Sequence, residues 1–282
     1  MTQALDHPTE YPFSEDDFQW LRSTASAHSG IVLADVKRNM IYSRLSKRLR
    51  HLKLKSFAEY RKILDKGDSG EFVEFINAIT TNLTSFFREP HHFEHLETVA
   101  IPHLISRSPT RRTLRVWSAG CSTGEESYTI AMVLADALAR YPQWTAEVFA
   151  SDLDTRVLER AASGVYEAER VSGLDQLPLR RWFLKGAGAL EGKVKVKEEL
   201  RKRIQFSQLN LTQDWRVDGR FDVVFCRNVV IYFDKQTQRK LFSAFADVMT
   251  DGAFLYIGHA ESLHQVSDRF QLTGKTAYQR MN

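Results

Sequence analysis

The residues best suited to chemistry fall in four short clusters. The first, Ser118-Ala-Gly-Cys-Ser-Thr-Gly-Glu-Glu126, is a glycine-bearing loop that ends in two adjacent carboxylates. Gly120 and Gly124 permit a tight turn and a close approach of the backbone to a ligand. A phosphate-binding loop needs Gly-Lys-Ser/Thr at this point, but Glu125 stands where the lysine should be, and two carboxylates would repel a triphosphate. A dinucleotide fingerprint needs three glycines as Gly-x-Gly-x-x-Gly, of which only two can be matched. A cofactor without phosphates suits the loop better. S-adenosylmethionine has none, and it carries an ammonium and a sulfonium that acidic side chains attract.

The second cluster is Ser151-Asp152-Leu-Asp154. Asp154 is placed to cap a following helix, which leaves Asp152 as the acid that can accept two ribose hydroxyls. The third is Gln208-Leu-Asn210-Leu211, where Asn210 either reaches an adenine edge through its amide or is a plain turn asparagine. The fourth, Phe221-Asp-Val-Val-Phe-Cys-Arg-Asn-Val-Val-Ile-Tyr-Phe-Asp234, delivers Arg227, Asn228 and Tyr232 from the end of an apolar strand. DNA amino-methyltransferases hold an exocyclic amine with Asn/Asp-Pro-Pro-Tyr/Phe at such a place, and the absence of those prolines argues against base chemistry.

These clusters need a frame, and the chain supplies one from Thr113 onward. Strands are expected at Leu114–Ser118, Glu147–Ala150, Arg203–Ser207, Phe221–Cys226 and Phe254–Ile257. Helices are expected at Glu126–Arg140, at Thr155–Ala162 and at Lys235–Met249, the last closed by Gly252. Strands alternating with helices imply a largely parallel sheet covered on both faces, and all four clusters then sit at carboxyl ends of strands, where such sheets bind ligands. Gly164–Lys202 breaks the alternation. Its Lys193-Val-Lys-Val-Lys197 run reads as a half-exposed strand, so a small antiparallel β insertion is expected there.

Phe13–Ile79 reads as helical. Ser14 followed by Asp17 marks a helix start, Glu71–Ile79 a further helix, and Ile41, Leu45, Leu49 and Leu52 form a buried stripe. Arg44, Arg48, His51 and Lys55 form a neighbouring stripe, with Lys47 and Arg50 beside it. Residues 36–55 hold eight Lys/Arg and no acid, so with +4 overall the rest of the chain is net −4. A concentrated basic patch implies docking to an acidic partner. Pro102 and Pro109 punctuate the approach to the α/β part.

Composition narrows the classes further. With 282 residues and 43% hydrophobic content the chain can bury a core. The acidic first twenty residues exclude a secretory signal, and no run approaches the ~18 apolar residues of a membrane span. Cys121 and Cys226, 105 positions apart, give neither a disulfide framework nor metal-ligand spacing. A cytoplasmic protein without a metal site is expected.

Five stretches in this order carry a resemblance to a known family. They are Asn82-Leu-Thr-Ser-Phe-Phe-Arg-Glu-Pro-His-His-Phe93, Trp117–Tyr128, Phe149–Asp154, Cys226–Asp234 and Gly258-His-Ala-Glu-Ser-Leu263. The chain resembles the chemotaxis receptor glutamate O-methyltransferases, the CheR family, from about Phe13 to Tyr278. The resemblance implies a helical N-terminal receptor-docking domain over 12–80, a linker over 81–100 that contributes to the cofactor site, and a Rossmann-like methyltransferase domain over 101–282 with a β-subdomain at 164–203.

It also implies site residues. Asn82, Thr84 and Arg88 would cover the cofactor, Glu125 or Glu126 would meet its charged amino acid end, and Asp152 would hold the ribose. Asn210 with Leu211 would reach the adenine, and Gly120, Arg227 and Asn228 would line the pocket. Arg88 and Tyr232 match the positions associated with activity. S-adenosylmethionine is the implied methyl donor and S-adenosylhomocysteine the product. An exposed glutamate, with a pKa of about 4.3, is already ionised at neutral pH, so no general base is needed. The enzyme must instead orient the carboxylate and strip it of water. Arg88 suits either the acceptor carboxylate or the methionine carboxylate of the cofactor.

The basic stripe then acquires a partner in the acidic helical bundle of a methyl-accepting chemotaxis receptor. Arg180, Arg181, Lys193, Lys195 and Lys197 of the β-subdomain are candidates for a receptor C-terminal tether. A monomer is expected, with no nucleic acid partner and no membrane insertion. A nucleic-acid methyltransferase and a non-catalytic cofactor sensor are the rival readings.

Overall fold

A computed structural model describes residues 10–67, 69–80, 82–107 and 111–281, so Pro109 lies outside the described residues. The chain divides into two compact units, Met1–Thr81 and Asn82–Asn282.

Among its described residues the first unit holds four α-helices, α1 (Glu15–Ser29), α2 (Arg38–His51), α3 (Phe57–Asp65) and α4 (Ser69–Ile79). Its start is a reciprocal cap: the Asp17 amide donates to Ser14 Oγ at 3.0 Å, and the Ser14 amide donates to the Asp17 carboxylate at 2.9 Å. Ile41, Leu45 and Leu49 of α2 are fully buried, and Phe18, Leu21, Tyr60 and Phe75 complete this core. Leu52 caps α2 half-buried. Truncating Leu45 to alanine would remove about 2–5 kcal/mol from this small unit.

The second unit begins with α5 (His91–His95), which passes through a π turn at Leu96–Ala100 into α6 (Ile101–Arg107). Then follow β1 (Thr113–Ala119), α7 (Glu125–Ala137), β2 (Thr145–Asp152) and α8 (Thr155–Ser163). An insertion follows with β3 (Val165–Glu167), α9 (Gln176–Trp182), β4 (Phe183–Lys185), β5 (Lys193–Val196) and α10 (Glu198–Arg201). The chain closes with β6 (Ile204–Gln208), β7 (Phe221–Cys226), α11 (Lys235–Val248), β8 (Met249–Ile257), β9 (Phe270–Gly274) and β10 (Ala277–Arg280).

The main sheet has seven strands in the order β6-β2-β1-β7-β8-β10-β9. Its first five are parallel, whereas β10 runs antiparallel to both β8 and β9. The chain leaves β1 toward β2 on one side and returns to β7 on the other. That reversal is the switch point beside which a doubly wound sheet binds its ligand. Both faces are covered. Val116, Phe225 and Tyr256 face one core; Trp117, Cys226 and Leu255 face the other. Trp117 is fully buried, its indole N–H donates to Ser151 Oγ at 2.9 Å, and Trp215, Phe221 and Phe245 pack around it.

The expected Rossmann-like architecture is present, and the insertion carries its own three-stranded antiparallel sheet, β3-β5-β4, in which Val194 and Val196 are buried. One expectation needs correction, and one pair of strands went unread. Gly252 does not close a helix: α11 ends at Val248, and β8 starts at Met249 and runs through Gly252. The β9–β10 pair was not read from the sequence, because β9 buries only Phe270 and so shows no apolar alternation.

Candidate active site

The site is built at the carboxyl ends of β1, β2 and β7. After β1 the backbone amides of Gly120 and Cys121 both donate to Ser151 O, at 2.8 and 2.9 Å, which pins the loop to the end of β2. The loop closes at Gly124 with φ +94°, where an added Cβ would lie 2.8 Å from Ala161 Cβ and 3.0 Å from the Tyr166 hydroxyl oxygen. Only glycine fits there, on conformational and on steric grounds. Tyr166, from the insertion, donates its hydroxyl to Thr123 O at 2.7 Å and fixes the loop from outside the sheet.

Asp152 locks the same loop. Its Oδ2 accepts from the Ser122 amide at 2.8 Å and its Oδ1 from the Asp154 amide at 3.0 Å. Burial pushes its carboxyl up, against the pull of these amides. Each oxygen keeps a lone pair for a further donor. Asp154 caps α8 through the amides of Arg156 and Val157 and accepts from Asn82 Nδ2 at 3.0 Å.

Residues 82–100 belong to the second unit. Asn82 O accepts from Ser122 Oγ at 3.2 Å, and Thr84 O accepts from Arg170 Nη1 at 3.1 Å. Arg88 donates from Nη1 to Leu83 O at 2.8 Å and from Nη2 to Asn228 Oδ1 at 3.1 Å. The segment is held in an unusual shape: Phe87 and Glu89, on either side of Arg88, have φ of +52° and +57°, and Ser122 and Asn228 have φ of +50° and +59°. Left-handed non-glycine residues persist only where their surroundings over-determine them, and they gather at functional sites.

The two glutamates that open α7 have different environments. Glu125 is fully buried, accepts from Thr123 Oγ1 at 2.5 Å and pairs with Arg170 Nη2 at 3.3 Å. Glu126 keeps 12% of its side chain exposed, accepts from Ser118 Oγ at 2.7 Å and pairs with Arg227 Nη1 at 3.0 Å. Burial pushes the Glu126 carboxyl above its ordinary range, with Arg227 and Ser118 opposing that push.

Arg227 joins several elements. With 2% of its side chain exposed, it spans Glu126 and Glu89 (3.3 Å), donates to Arg88 O and lies over the Phe93 ring at 5.5 Å. Arg227, carried in the sequence reading among the cofactor-binding residues, thus bridges two largely buried carboxylates. Asn228 donates its backbone N–H to Glu261 Oε2 at 3.0 Å, and the same carboxylate accepts from the amides of Gly258 and Ile231.

Asn210 and Leu211 follow β6, and the Leu209 amide ties this stretch to Asp152 O at 3.0 Å. Asn210 Oδ1 accepts from Thr212 N and Oγ1 at 3.0 and 2.9 Å, which is turn geometry. Tyr232 ends a 3-10 turn, Val230–Tyr232, and is half-buried. The hydrogen bonds above bring Asn82, Thr84, Arg88, Gly120, Glu125, Glu126, Asp152, Arg227 and Asn228 into one neighbourhood. Glu89, Tyr166, Arg170, His259 and Glu261 had no assigned role in the sequence reading. Glu89, His259 and Glu261 lie within the stretches that carry the resemblance, but most of the partners of all five residues lie far along the chain, so local spacing does not signal the contacts.

Among the described residues, Glu89, His91 and His92 bring three ligand atoms within 4.8 Å of one another. Arg227 already supplies the cation for Glu89 at 3.3 Å.

In the first unit the basic stripe differs from its reading. Arg48 forms a two-pronged contact to Glu71, with Nε to Oε1 at 2.9 Å, and pairs with Glu74 at 3.5 Å. Arg44 donates to the carbonyls of Ala78 and Thr80. Arg50 pairs with Glu10 at 3.3 Å. Arg48 therefore holds the amino-terminal half of α4 to α2 and Arg44 its carboxyl end, and neither is a free docking cation. His51 and Lys55 are exposed, as are Lys47 and Lys53.

The donor set fits S-adenosylmethionine: carboxylates for a cation and for hydroxyls, and a glycine turn that a Cβ would fill. Comparison with known proteins agrees. Residues 16–80 match the family described as "CheR methyltransferase, all-alpha domain", and residues 82–279 match "CheR methyltransferase, SAM binding domain". The chain is 44% identical over 270 residues to the chemotaxis protein methyltransferase of Escherichia coli (strain K12), spanning 94% of this chain and 91% of that one. It is 44% identical over 273 residues to chemotaxis protein methyltransferase 2 of Pseudomonas aeruginosa, with 95% and 94% covered. With the chemotaxis protein methyltransferase of Borreliella burgdorferi it shares 35% over 255 residues, covering 89% of each. Across both of its units, the chain belongs to the CheR family of S-adenosylmethionine-binding methyltransferases.

Proposed function

We propose that this chain transfers a methyl group from S-adenosylmethionine to glutamate side-chain carboxylates of a methyl-accepting chemotaxis receptor, forming glutamate 5-O-methyl esters for sensory adaptation. The observation that carries this reading is the charge arrangement at the strand ends. Carboxylates stand where a cationic nucleoside would be held, and the Arg88 guanidinium stands beside them for an anionic acceptor. The names of the relatives supply the chemotaxis context.

S-adenosylmethionine would bring an electrophilic methyl on a sulfonium. Glu126 is favoured over Glu125 for the ammonium of that molecule, because 12% of its side chain is exposed against none for Glu125. Asp152 has lone pairs left for ribose hydroxyls, and Leu211 and Asn210 stand next to it for the adenine. Asn82 and Thr84 close the loop side. Arg88 presents a rigid fork to a carboxylate, and Tyr232 supplies packing and a hydroxyl for the acceptor. The acceptor is ionised at neutral pH, so orientation and removal of water are the tasks left to the protein.

His51 and Lys55, with Lys47 and Lys53, form the exposed part of the basic stripe and would dock on an acidic receptor helix bundle. Lys193, Lys195 and Lys197 of β5 and its end, with Arg180 and Arg181 of α9, would meet a receptor tether. A cytoplasmic monomer is the form this reading assumes. No helix among the described residues is long and apolar enough to cross a membrane.

The test incubates the protein with methyl-labelled S-adenosylmethionine and a receptor cytoplasmic fragment, then releases methanol with mild base. Base-labile label that disappears when receptor Glu is changed to Gln is the expected result. Stable label on RNA or DNA, with none on receptor, would overturn the reading.

A further inference from the structure

Glu89 has no role in the reading above, yet it touches two of the residues assigned one, Asn228 and Arg227. Its Oε1 accepts from His259 Nδ1 at 2.9 Å and from Asn228 Nδ2 at 3.4 Å, and its Oε2 faces Arg227 Nη2 at 3.3 Å and His92 Nδ1 at 3.5 Å. Its side chain is 11% exposed, so these contacts take place in little water. Burial opposes its ionisation, but His259, Arg227 and Asn228 outweigh burial and hold its pKa at about 2, so it is an anion at any working pH.

The placement of this anion has a geometric consequence. An amide has one acceptor end and one donor end, and Asn228 uses both: Oδ1 accepts from Arg88 Nη2 at 3.1 Å while Nδ2 points to Glu89. An anion only accepts hydrogen bonds and a guanidinium only donates them, so Glu89 and Arg88 hold the two ends of Asn228 in one orientation, with Glu89 as the fixed anchor behind it. The backbone repeats the linkage. Arg227, held by Glu89, donates to the carbonyl of Arg88, and Phe87 and Glu89 place Arg88 between two left-handed residues.

We propose that Glu89 is a positioning residue: through Asn228 and Arg227 it sets the orientation in which Arg88 meets the acceptor carboxylate. This rests on the glutamate methyltransferase reading. Glu89→Gln removes the charge and supplies an amide that can turn a donor toward the Asn228 N–H₂, so Asn228 loses one of its two anchors, Arg227 loses an anion, and Arg88 can shift from its place. A misplacement of this size costs about 10- to 100-fold in rate.

The experiment is a double-mutant cycle in the full chain with Glu89→Gln, Asn228→Ala and the pair. Methyl ester formation and S-adenosylhomocysteine affinity are both measured. The expected result is a 10- to 100-fold lower kcat for Glu89→Gln with KM for S-adenosylmethionine within about threefold, and a loss in the pair well short of the product of the two single losses, because only the route through Arg227 remains once Asn228 is gone. Glu89→Asp should recover part of the rate, because charge and acceptor character return; a merely structural role would predict no such recovery. A kcat within twofold of wild type, or losses that multiply in the pair, would overturn the proposal. If the wild-type chain esterifies no receptor, the function reading itself fails. The same cycle read on urea unfolding then decides the Glu89–Asn228 linkage alone: losses that simply add in the pair would overturn it.

Discussion

Replacing Arg227 with methionine should destabilise the second unit in a manner that depends on pH. The substitution keeps most of the volume and removes the one cation between Glu126 at 3.0 Å and Glu89 at 3.3 Å. These side chains are 12% and 11% exposed, and that of Arg227 is 2% exposed, so water cannot replace the lost charge. Breaking a buried pair while leaving a partner behind costs about 3–5 kcal/mol. For a unit of this size that corresponds to roughly 6–20 °C in Tm.

The sign of the pH dependence follows from the carboxylates left behind. Without the guanidinium, burial raises the Glu126 carboxyl with only Ser118 left to oppose it, so its folded pKa lies above the unfolded value. Such groups contribute stability that is present at low pH and lost as pH rises through the folded pKa. The deficit relative to wild type should therefore be largest near pH 8 and shrink toward pH 5. Urea unfolding of both proteins at the two pH values, followed by tryptophan fluorescence, measures it, since Trp117, Trp144, Trp182 and Trp215 all lie in this unit. A deficit under about 1 kcal/mol at pH 8, or one that grows on acidification, would refute the view of Arg227 as a clamp.

Gly124→Ala forces a Cβ to within 2.8 Å of Ala161 at φ +94°, so S-adenosylhomocysteine affinity should fall at least tenfold by calorimetry; an unchanged Kd would show that the loop does not need this turn. His92 is fully buried, and burial first, then Arg227 and His91, lower its pKa to about 3. The unfolded chain takes up that proton first, near pH 6.5. Stability is therefore full above pH 6.5 and falls by about 2 kcal/mol at pH 5, a slope that His92→Gln should flatten in unfolding curves measured across that range. Charge reversal at Lys47 and Lys55 should raise KM for receptor about tenfold at low salt and leave kcat alone, with the two proteins converging at high salt; a wild-type KM insensitive to salt would refute docking through this stripe.

How much of this was legible in the sequence depends on where each residue finds its partners. β7 read correctly to the residue because both of its faces are buried, giving a run that is apolar at every position but Asp222 and has abrupt ends. The α1 start read correctly because Ser14 and Asp17 satisfy one another within a single turn. By contrast, β9 buries one residue of five, and Gly252 sits inside β8 although glycine ordinarily signals a stop. The basic stripe was misjudged for a similar reason. Counting charges along 36–55 cannot see Glu71 and Glu74, which α4 brings to Arg48.

The site shows the same division within two adjacent residues. Glu125 and Glu126 are indistinguishable by type and position in the sequence, and both were carried as candidates for one role. Successive residues on an α-helix diverge by about 100°, so the first turn of α7 sends them to different surroundings. Glu125 goes to Arg170, which the insertion supplies, and disappears from solvent. Glu126 goes to Ser118 at the end of β1 and to Arg227 at the end of β7, beside the switch point of the sheet. Each carboxylate has its own arginine, from a different part of the chain. The loop therefore carries two negative charges without repelling itself, and one of them can be turned to a ligand while the other holds the insertion in place. That division of labour is set by topology, which brings residues 101 positions apart into contact, and it becomes visible only once the strands are in order.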